Sequence, residues 1–366
     1  MTSQNLNDKR IDIAFVLPAL NSGGAEKNTI LLADEMRKQG LGVEIVVMEK
    51  KGSFVASVPS GLPVREIGAG FLGAVWSLSR YIIKQRPRRI VAGLPLPNII
   101  AIISGIMTGR LADIFLTQHH PFALNARYAR KSRTSLAKFL FPCARHFIAV
   151  SQGVAEDLVG SAGVRNDRIT VISNPVCIKE IERLSKKKAP GYPVNREGGS
   201  QAILVGRLAP PKDIETPLEA LKECPDLNLV ICGEGPERQK QEDYAKSAGV
   251  RDRVVFTGFV DNPYTVMAGS DLLILSSRHE GFGNVLIEAM AIGLPVVATD
   301  CPYGPSEILD GGRFGELVPI GESHEMAEAI KRVLEGRHPD PQILKSRAQE
   351  YDLNIIVREY RELLNL

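Results

Sequence analysis

The chain has little that could hold it together covalently. Its five cysteines, Cys143, Cys177, Cys224, Cys232 and Cys301, are scattered, odd in number and without C-x-x-C spacing. That argues against a disulfide frame or a thiolate zinc site and fits buried thiols in a reducing compartment. The opening MTSQNLNDKR lacks an apolar stretch and reads as a polar tail, not a secretory signal. No low-complexity tract or short tandem repeat occurs. A charge-free run, Ile90–Gly109, has about the length of a membrane span, but Pro95, Pro97 and Asn98 interrupt it. A strand Ile90–Leu94, a turn and a buried helix Ile99–Thr108 explain it better.

What is present is ordinary in amount and uneven in placement. Of 366 residues, 44% are hydrophobic and 24% charged, as in a soluble globular protein, and the length suits two domains. The net charge of +3 selects no partner. Residues 1–175, however, carry 22 Lys+Arg against 12 Asp+Glu, and the remainder 23 against 30. The first half therefore suits something anionic. From Ile114 to Ala155 there is no acid, and Arg127, Arg130, Lys131, Arg133 and Lys138 precede Phe139–Phe141. Basic charge beside aromatic residues suits an anionic membrane surface, while the plainer reading is a solvated helix face. No nucleic-acid motif is visible.

Apolar strand-like runs alternate with helical ones. Ile11–Leu17, Val43–Met48, Arg89–Leu94, Ile114–Thr117, His146–Val150 and Ile169–Ile172 read as strands buried on both faces. Lys186–Ser200 is polar, rich in glycine and proline, and reads as the junction loop. A second series follows: AILVG ending at Gly206, LNLVICG, RVVFTGF, DLLILSS and PVVAT. Two doubly wound α/β units in tandem are expected, with ligands at the carboxyl ends of their strands and a cleft between them.

Gly68, Gly70 and Gly73 form a literal G-x-G-x-x-G, but no acid follows until Asp113, so no ribose partner stands at the usual distance. It reads as a flexible connection. In the first βα turn, Gly23 and Gly24 let backbone N–H groups approach an anion at a helix start, a weak signal alone. Arg207 and Lys212 leave the end of a strand and suit a diphosphate, though two isolated cations are more often solvated. The densest stretch is HEGFGNVLIEAM from His279. Gly281 and Gly283 expose backbone N–H groups before a helix, with Glu280 in the turn and Glu288 about two turns further on. Capping accounts for one acid but not for the glycines and both glutamates.

HEGFGNVLIEAMAIGLPVVATD, with VGRLAPPKD, ICGEGPE, VVFTGFVDN, PALNSGGAEK, AVSQGV and VISNPV, closely resembles the retaining family-4 glycosyltransferases of GT-B fold, from about residue 11 to the end. The resemblance implies an N-terminal acceptor-side Rossmann-like domain, 1–180, onto which the final helix, 352–366, packs back. It also implies a nucleotide-sugar-binding domain, 181–351. By position, Glu280 would orient the donor sugar and Glu288 would hold the ribose. Arg207 and Lys212 would neutralise the departing diphosphate, and Gly23 and Gly24 would let a loop close over it. Phe259 and Val260 would contact the base through backbone, and Gly206, Gly281, Phe282, Gly283 and Asn284 would line the same site. His119 would stand beside the sugar, with His120 as the other choice. Many transferases hold a metal with D-x-D; that motif does not occur here, so fixed cations and a helix N-terminus would stabilise the leaving group without metal or other cofactor. The expected protein is cytoplasmic, peripheral on the inner face of the membrane. It would move a hexose or N-acetylhexosamine from a nucleotide diphosphate sugar, UDP foremost, to a lipid-linked or surface-polysaccharide glycan. A non-catalytic sugar-nucleotide-binding protein or scaffold, and a GT-B-fold sugar-nucleotide epimerase, stay open as alternatives.

Overall fold

A computed structural model describes residues 10–21, 23–68, 70–124, 131–187 and 199–366, with the backbone alone at 131–133. The chain divides into two α/β units, Met1–Pro175 with Leu353–Leu366, and Val176–Asp352. Residues 176–180, expected with the first domain, go with the second. Most of the expected junction loop lies outside the described residues.

In the first unit seven strands form a parallel sheet. They are β1 (Ile13–Leu17), β2 (Val43–Val47), β3 (Val64–Glu66), β4 (Arg89–Gly93), β5 (Ile114–Gln118), β6 (His146–Ala149) and β7 (Ile169–Val171). Their order is β3-β2-β1-β4-β5-β6-β7, with Ile13 in register with Val43 on one side and Arg89 on the other. Every residue of β1, β2 and β5 is buried, which is why these strands read as continuous apolar runs without alternation. The order reverses at β1 and β4, the switch point where doubly wound sheets open for ligands.

The second unit repeats the plan with six strands. They are β8 (Ser200–Val205), β9 (Leu227–Cys232), β10 (Val254–Gly258), β11 (Leu272–Leu275), β12 (Val296–Thr299) and β13 (Glu316–Val318). The order β10-β9-β8-β11-β12-β13 places its switch point between β8 and β11.

Two local outcomes differ from the sequence expectation. The helix after β4 starts at Pro95, not Ile99, and runs to Thr108. Its prolines stand in the first turn, where no intrahelical donor is required, so they start the helix and do not break it. Leu94, at φ 76, makes the turn. No described helix is long and apolar enough to cross a membrane. The Gly68–Gly73 motif follows the edge strand β3, not β1; Gly70, at φ 89, caps the helix Phe71–Gln85. Its glycines therefore serve a connection remote from the switch point.

The final helix, Leu353–Leu364, belongs to the first unit. It packs on the helix Gly24–Lys38 and buries Ile356, Val357, Tyr360 and Leu364. Arg89 Nε donates to Leu364 O at 2.8 Å, and Arg361 Nη1 donates to Gln39 Oε1 at 3.0 Å. Leu364→Ala is expected to cost about 2–4 kcal/mol, the usual loss for a buried leucine. Urea unfolding checks it, and a change below about 0.5 kcal/mol, the usual size at a surface site, would mean the helix is not held by burial.

Candidate active site

The second unit gathers its sequence-selected residues at the switch point. Gly206 and Arg207 directly follow β8, and Ser276–Glu280 follow β11. Lys212 Nζ lies 2.5 Å from Glu280 Oε1, and Ser277 Oγ donates to the same oxygen at 2.6 Å. Residues 68 positions apart thus meet because neighbouring parallel strands release their loops at one edge. The answer to what Glu280 does locally is therefore an ion pair. The helix Asn284–Ala291 is capped by Gly283 with no side-chain cap bond.

Three further links stitch the same two loops. Arg278 N donates to Pro211 O at 2.8 Å and Ser276 Oγ to Lys212 O at 2.8 Å. Arg278 Nε stands 3.2 Å from Asp213 Oδ2, which also accepts from Thr216 Oγ1 at 3.0 Å. Asp213 is buried with φ 46, a left-handed conformation that aspartate tolerates better than most residues. The sequence reading missed Asp213, Ser276, Ser277 and Arg278; the one signal was Asp213 directly after the chosen lysine.

The loop after β9 closes against the loop after β8. Leu208 N donates to Glu234 O at 2.9 Å, and Glu237 N donates to Leu208 O at 3.0 Å. A Cβ on Gly233 would stand 1.8 Å from Gly206 O, and one on Gly235 would stand 2.1 Å from Leu208 O. Only glycine permits that approach, which explains the GEG in ICGEGPE.

The remaining positions divide. Arg207 is exposed, and among the described residues no ion pair engages its guanidinium. Phe259 is exposed at the end of β10, and Val260 is half-buried. Glu288 accepts from Tyr264 Oη at 3.2 Å, so the two glutamates of the motif have separate partners. Gly283 takes φ 105 before its helix. Phe282, expected among the ligand-lining residues, instead buries its ring, centroid 5.7 Å from that of Tyr351. Its side chain packs the loop. Burial lowers the pKa of His279 and pushes that of Cys301 up to about 12, with the Glu280 charge adding to the latter.

The first unit has its own polar edge. His119 follows β5, and its Nε2 would lie 3.7 Å from a Cβ on Gly93 at the end of β4. His119 is buried and His120 exposed. Neither ring nitrogen of His119 makes a hydrogen bond of ordinary geometry with the described residues. Burial, then the charge of His120, lowers its pKa to about 4, with Asn174 opposing in part. The ring is neutral at physiological pH. Gly23 caps the helix Gly24–Lys38, and a Cβ there would strike Glu26 Oε2 at 2.2 Å. Glu26, overlooked in the sequence, folds back over the loop, and its burial raises its pKa. Gly24 faces open space.

Of the basic segment, Arg127 and Arg130 lie outside the described residues, as do the side chains of Lys131 and Arg133. Lys138, in the helix Lys131–Leu140, is exposed beside the exposed Phe139. Among the described residues, Glu223, His324 and Glu328 are near enough together to share a cation. They are largely exposed, and Glu328 pairs with Lys331 at 2.7 Å, so they read as a surface charge network.

Known proteins match this layout. Residues 22–180 match the model of Glycosyltransferase Family 4, and residues 186–351 match that of Glycosyl transferases group 1. An N-acetylgalactosamine-N,N'-diacetylbacillosaminyl-diphospho-undecaprenol 4-alpha-N-acetylgalactosaminyltransferase of Campylobacter jejuni is 29% identical over 61% of each chain. The match thus spans less than two thirds of that relative. The lipopolysaccharide core biosynthesis glycosyltransferase LpsD of Rhizobium meliloti is 26% identical over 85% of this chain and 84% of its own. Among solved structures, Anabaena Alr3699/HepE in complex with UDP and glucose shares the fold at a TM-score of 0.81 and 23% identity, covering 97% of this chain and 99% of that one. Two parallel sheets with their polar edges at the switch points define the GT-B class. With both family models matched in sequence order, the chain belongs to the family-4-type GT-B glycosyltransferases.

Two outcomes are expected. Asp213→Ala should cost about 1–3 kcal/mol, from the lost buried acceptor, with Asp213→Asn recovering most of it; equal losses in urea would show that the charge pair, not the turn, governs. The second concerns pH. An unfolded histidine titrates near 6.5 and folded His119 near 4, so the unfolded chain takes up a proton first as pH falls. Stability should therefore drop between pH 6.5 and 4, by on the order of 3 kcal/mol from this group, and level off below. His119→Gln should flatten that component, and an unchanged pH profile would contradict the burial argument.

Proposed function

We propose that the chain is a retaining glycosyltransferase that acts without metal and uses a nucleotide diphosphate sugar, UDP foremost, carrying a hexose or N-acetylhexosamine. The observation that carries the reading is the Lys212–Glu280 pair at the β8/β11 switch point, beside exposed Arg207. Arg207 and Lys212 would take the diphosphate, helped by the backbone N–H groups at Gly283 and Asn284. Glu280 would turn from Lys212 to a sugar hydroxyl. Glu288, positioned by Tyr264, would hold the ribose. Phe259 and Val260 would flank the base. The UDP bound to the Anabaena structure supports the choice of nucleotide.

In the step itself, the bond from the anomeric carbon to the phosphate oxygen breaks and a bond to the acceptor oxygen forms on the same face. The acceptor proton passes to the departing phosphate. Charge grows on the diphosphate, where fixed cations stabilise it more in the transition state than before. Neutral His119 and Gly23 with Gly24 would serve the sugar and loop on the first unit. The acceptor would be a glycan, lipid-linked or on its way to a surface polysaccharide, met at the inner membrane face by Arg127, Arg130, Lys131, Arg133 and Lys138. The names of the Campylobacter and Rhizobium relatives support that acceptor class.

The test is a panel of nucleotide sugars scored by thermal shift and slow donor hydrolysis in EDTA. UDP should stabilise the chain and one UDP-sugar should be cleaved. Lys212→Ala and Glu280→Ala should each lower cleavage by about 10²-fold or more. Near wild-type turnover in Glu280→Ala would remove it from the site, and silence to every nucleotide would favour the scaffold.

A further inference from the structure

We propose that the outer face of the helix Phe71–Gln85 docks on an anionic lipid bilayer, with Trp76 as its anchor. This deepens the acceptor reading above, adding an apolar element to the basic segment, and its test is independent of turnover.

The helix has two faces. Ala74, Val75, Leu78, Tyr81 and Ile82 are buried inward and already satisfy the core. The outward face carries Leu72, Trp76 and Ile83, exposed by 79%, 60% and 61%. Arg80 and Lys84 are exposed on the same face, since positions four and seven to eight apart align on a helix. The stripe widens onto the next helix. Met107, 61% exposed, places its Sδ 4.0 Å from Ser79 Oγ. Single exposed apolar residues are commonplace, whereas a row of them continued by a neighbouring element marks an interaction surface.

The charge pattern chooses the partner. From residue 67 to residue 112 the chain has no acid, and exposed Glu66 beside Arg80 and Lys84 is outnumbered by them and Arg65. Asp113, which ends that run, is engaged by Arg89 and Arg110. The Arg80 guanidinium stands 5.5 Å from the Trp76 ring centroid, so aromatic ring and cation form one unit. Tryptophan beside basic residues on an amphipathic face suits the headgroup layer of an anionic bilayer. A second copy of the chain would bring Arg80 and Lys84 against their equals, an unfavourable match.

Trp76 is the chain's single tryptophan, so its emission reports this face alone. The full chain is titrated with phosphatidylcholine vesicles, with and without phosphatidylglycerol. Emission should move to the blue and be quenched by brominated lipid on the anionic vesicles, and much less on the neutral ones. Leu72→Ser with Ile83→Ser should lower partitioning roughly tenfold or more. Arg80→Glu should lower it about fivefold or more at low salt. Unchanged emission at saturating anionic lipid would overturn the proposal. So would a blue shift that grows with protein concentration without lipid, which would assign the stripe to a second copy. Thermal shift by UDP, measured on the same variants, should be unaltered; its absence in the wild type would sink the transferase reading and leave docking untouched.

Discussion

The switch-point edge of the second unit is joined by one ion pair and the latch around it. Lys212 and Glu280 belong to loops that have no sequence proximity, and each loop would be free to wander without the other. Their side chains are mostly withdrawn from water, so the pair is less screened than a surface bridge. Ser277 adds a second donor to the same carboxylate oxygen, and Asp213 with Arg278 fixes the two backbones. The pair is held in place and yet built from groups that a diphosphate and a sugar could each engage. A lysine kept in place by a neighbour's carboxylate needs little reorganisation when an anion takes that neighbour's place.

The close approach of loops imposes the glycines. Gly233 and Gly235 bring the loops after β9 and β8 together at distances no side chain would permit. Gly304 does the same one strand further on, where a Cβ would stand 1.8 Å from Phe282 O. Phe282 is thereby pinned and its ring is driven into the core. This is why a residue sitting in the middle of the motif does not present its side chain to a ligand. The motif's glycine-rich surroundings thus record backbone that must come near other backbone.

Much of this was legible in the sequence, and the exceptions have physical causes. The strands β1, β2, β8, β9 and β11 were visible because burial on both faces writes an unbroken apolar run. β13 was not, since three residues at a sheet edge leave no period to detect. Pro95 and Pro97 were misread because proline breaks a helix interior but suits a first turn, and sequence alone does not say which turn it is. Glu280 and Lys212 were individually visible, but their contact spans 68 positions and depends on strand order. Asp213, Ser277 and Tyr264 were invisible for the same reason: they matter through what they touch. That His119 is buried and its neighbour His120 exposed was not legible in two adjacent histidines.

The charge of each half has a different meaning once its placement is seen. The second unit contains most of the chain's acids, yet its switch point offers Arg207 and Lys212; local placement outweighs net charge where a ligand is small. In the first half the acids are largely spent internally. Glu44 binds Arg65 and the Tyr81 hydroxyl, Asp34 binds Arg37 and Lys38, and Asp157 accepts from the backbone of Phe122 and Ala123. Its basic surplus is therefore uncompensated at the surface, on helices that also expose Trp76 and Phe139. A surplus of that kind is too diffuse to bind one phosphate but well matched to a plane of many, where each cation adds a small, salt-sensitive increment. The two proposals thus assign the units two different ways of handling anions, one a fixed point contact and the other an extended field.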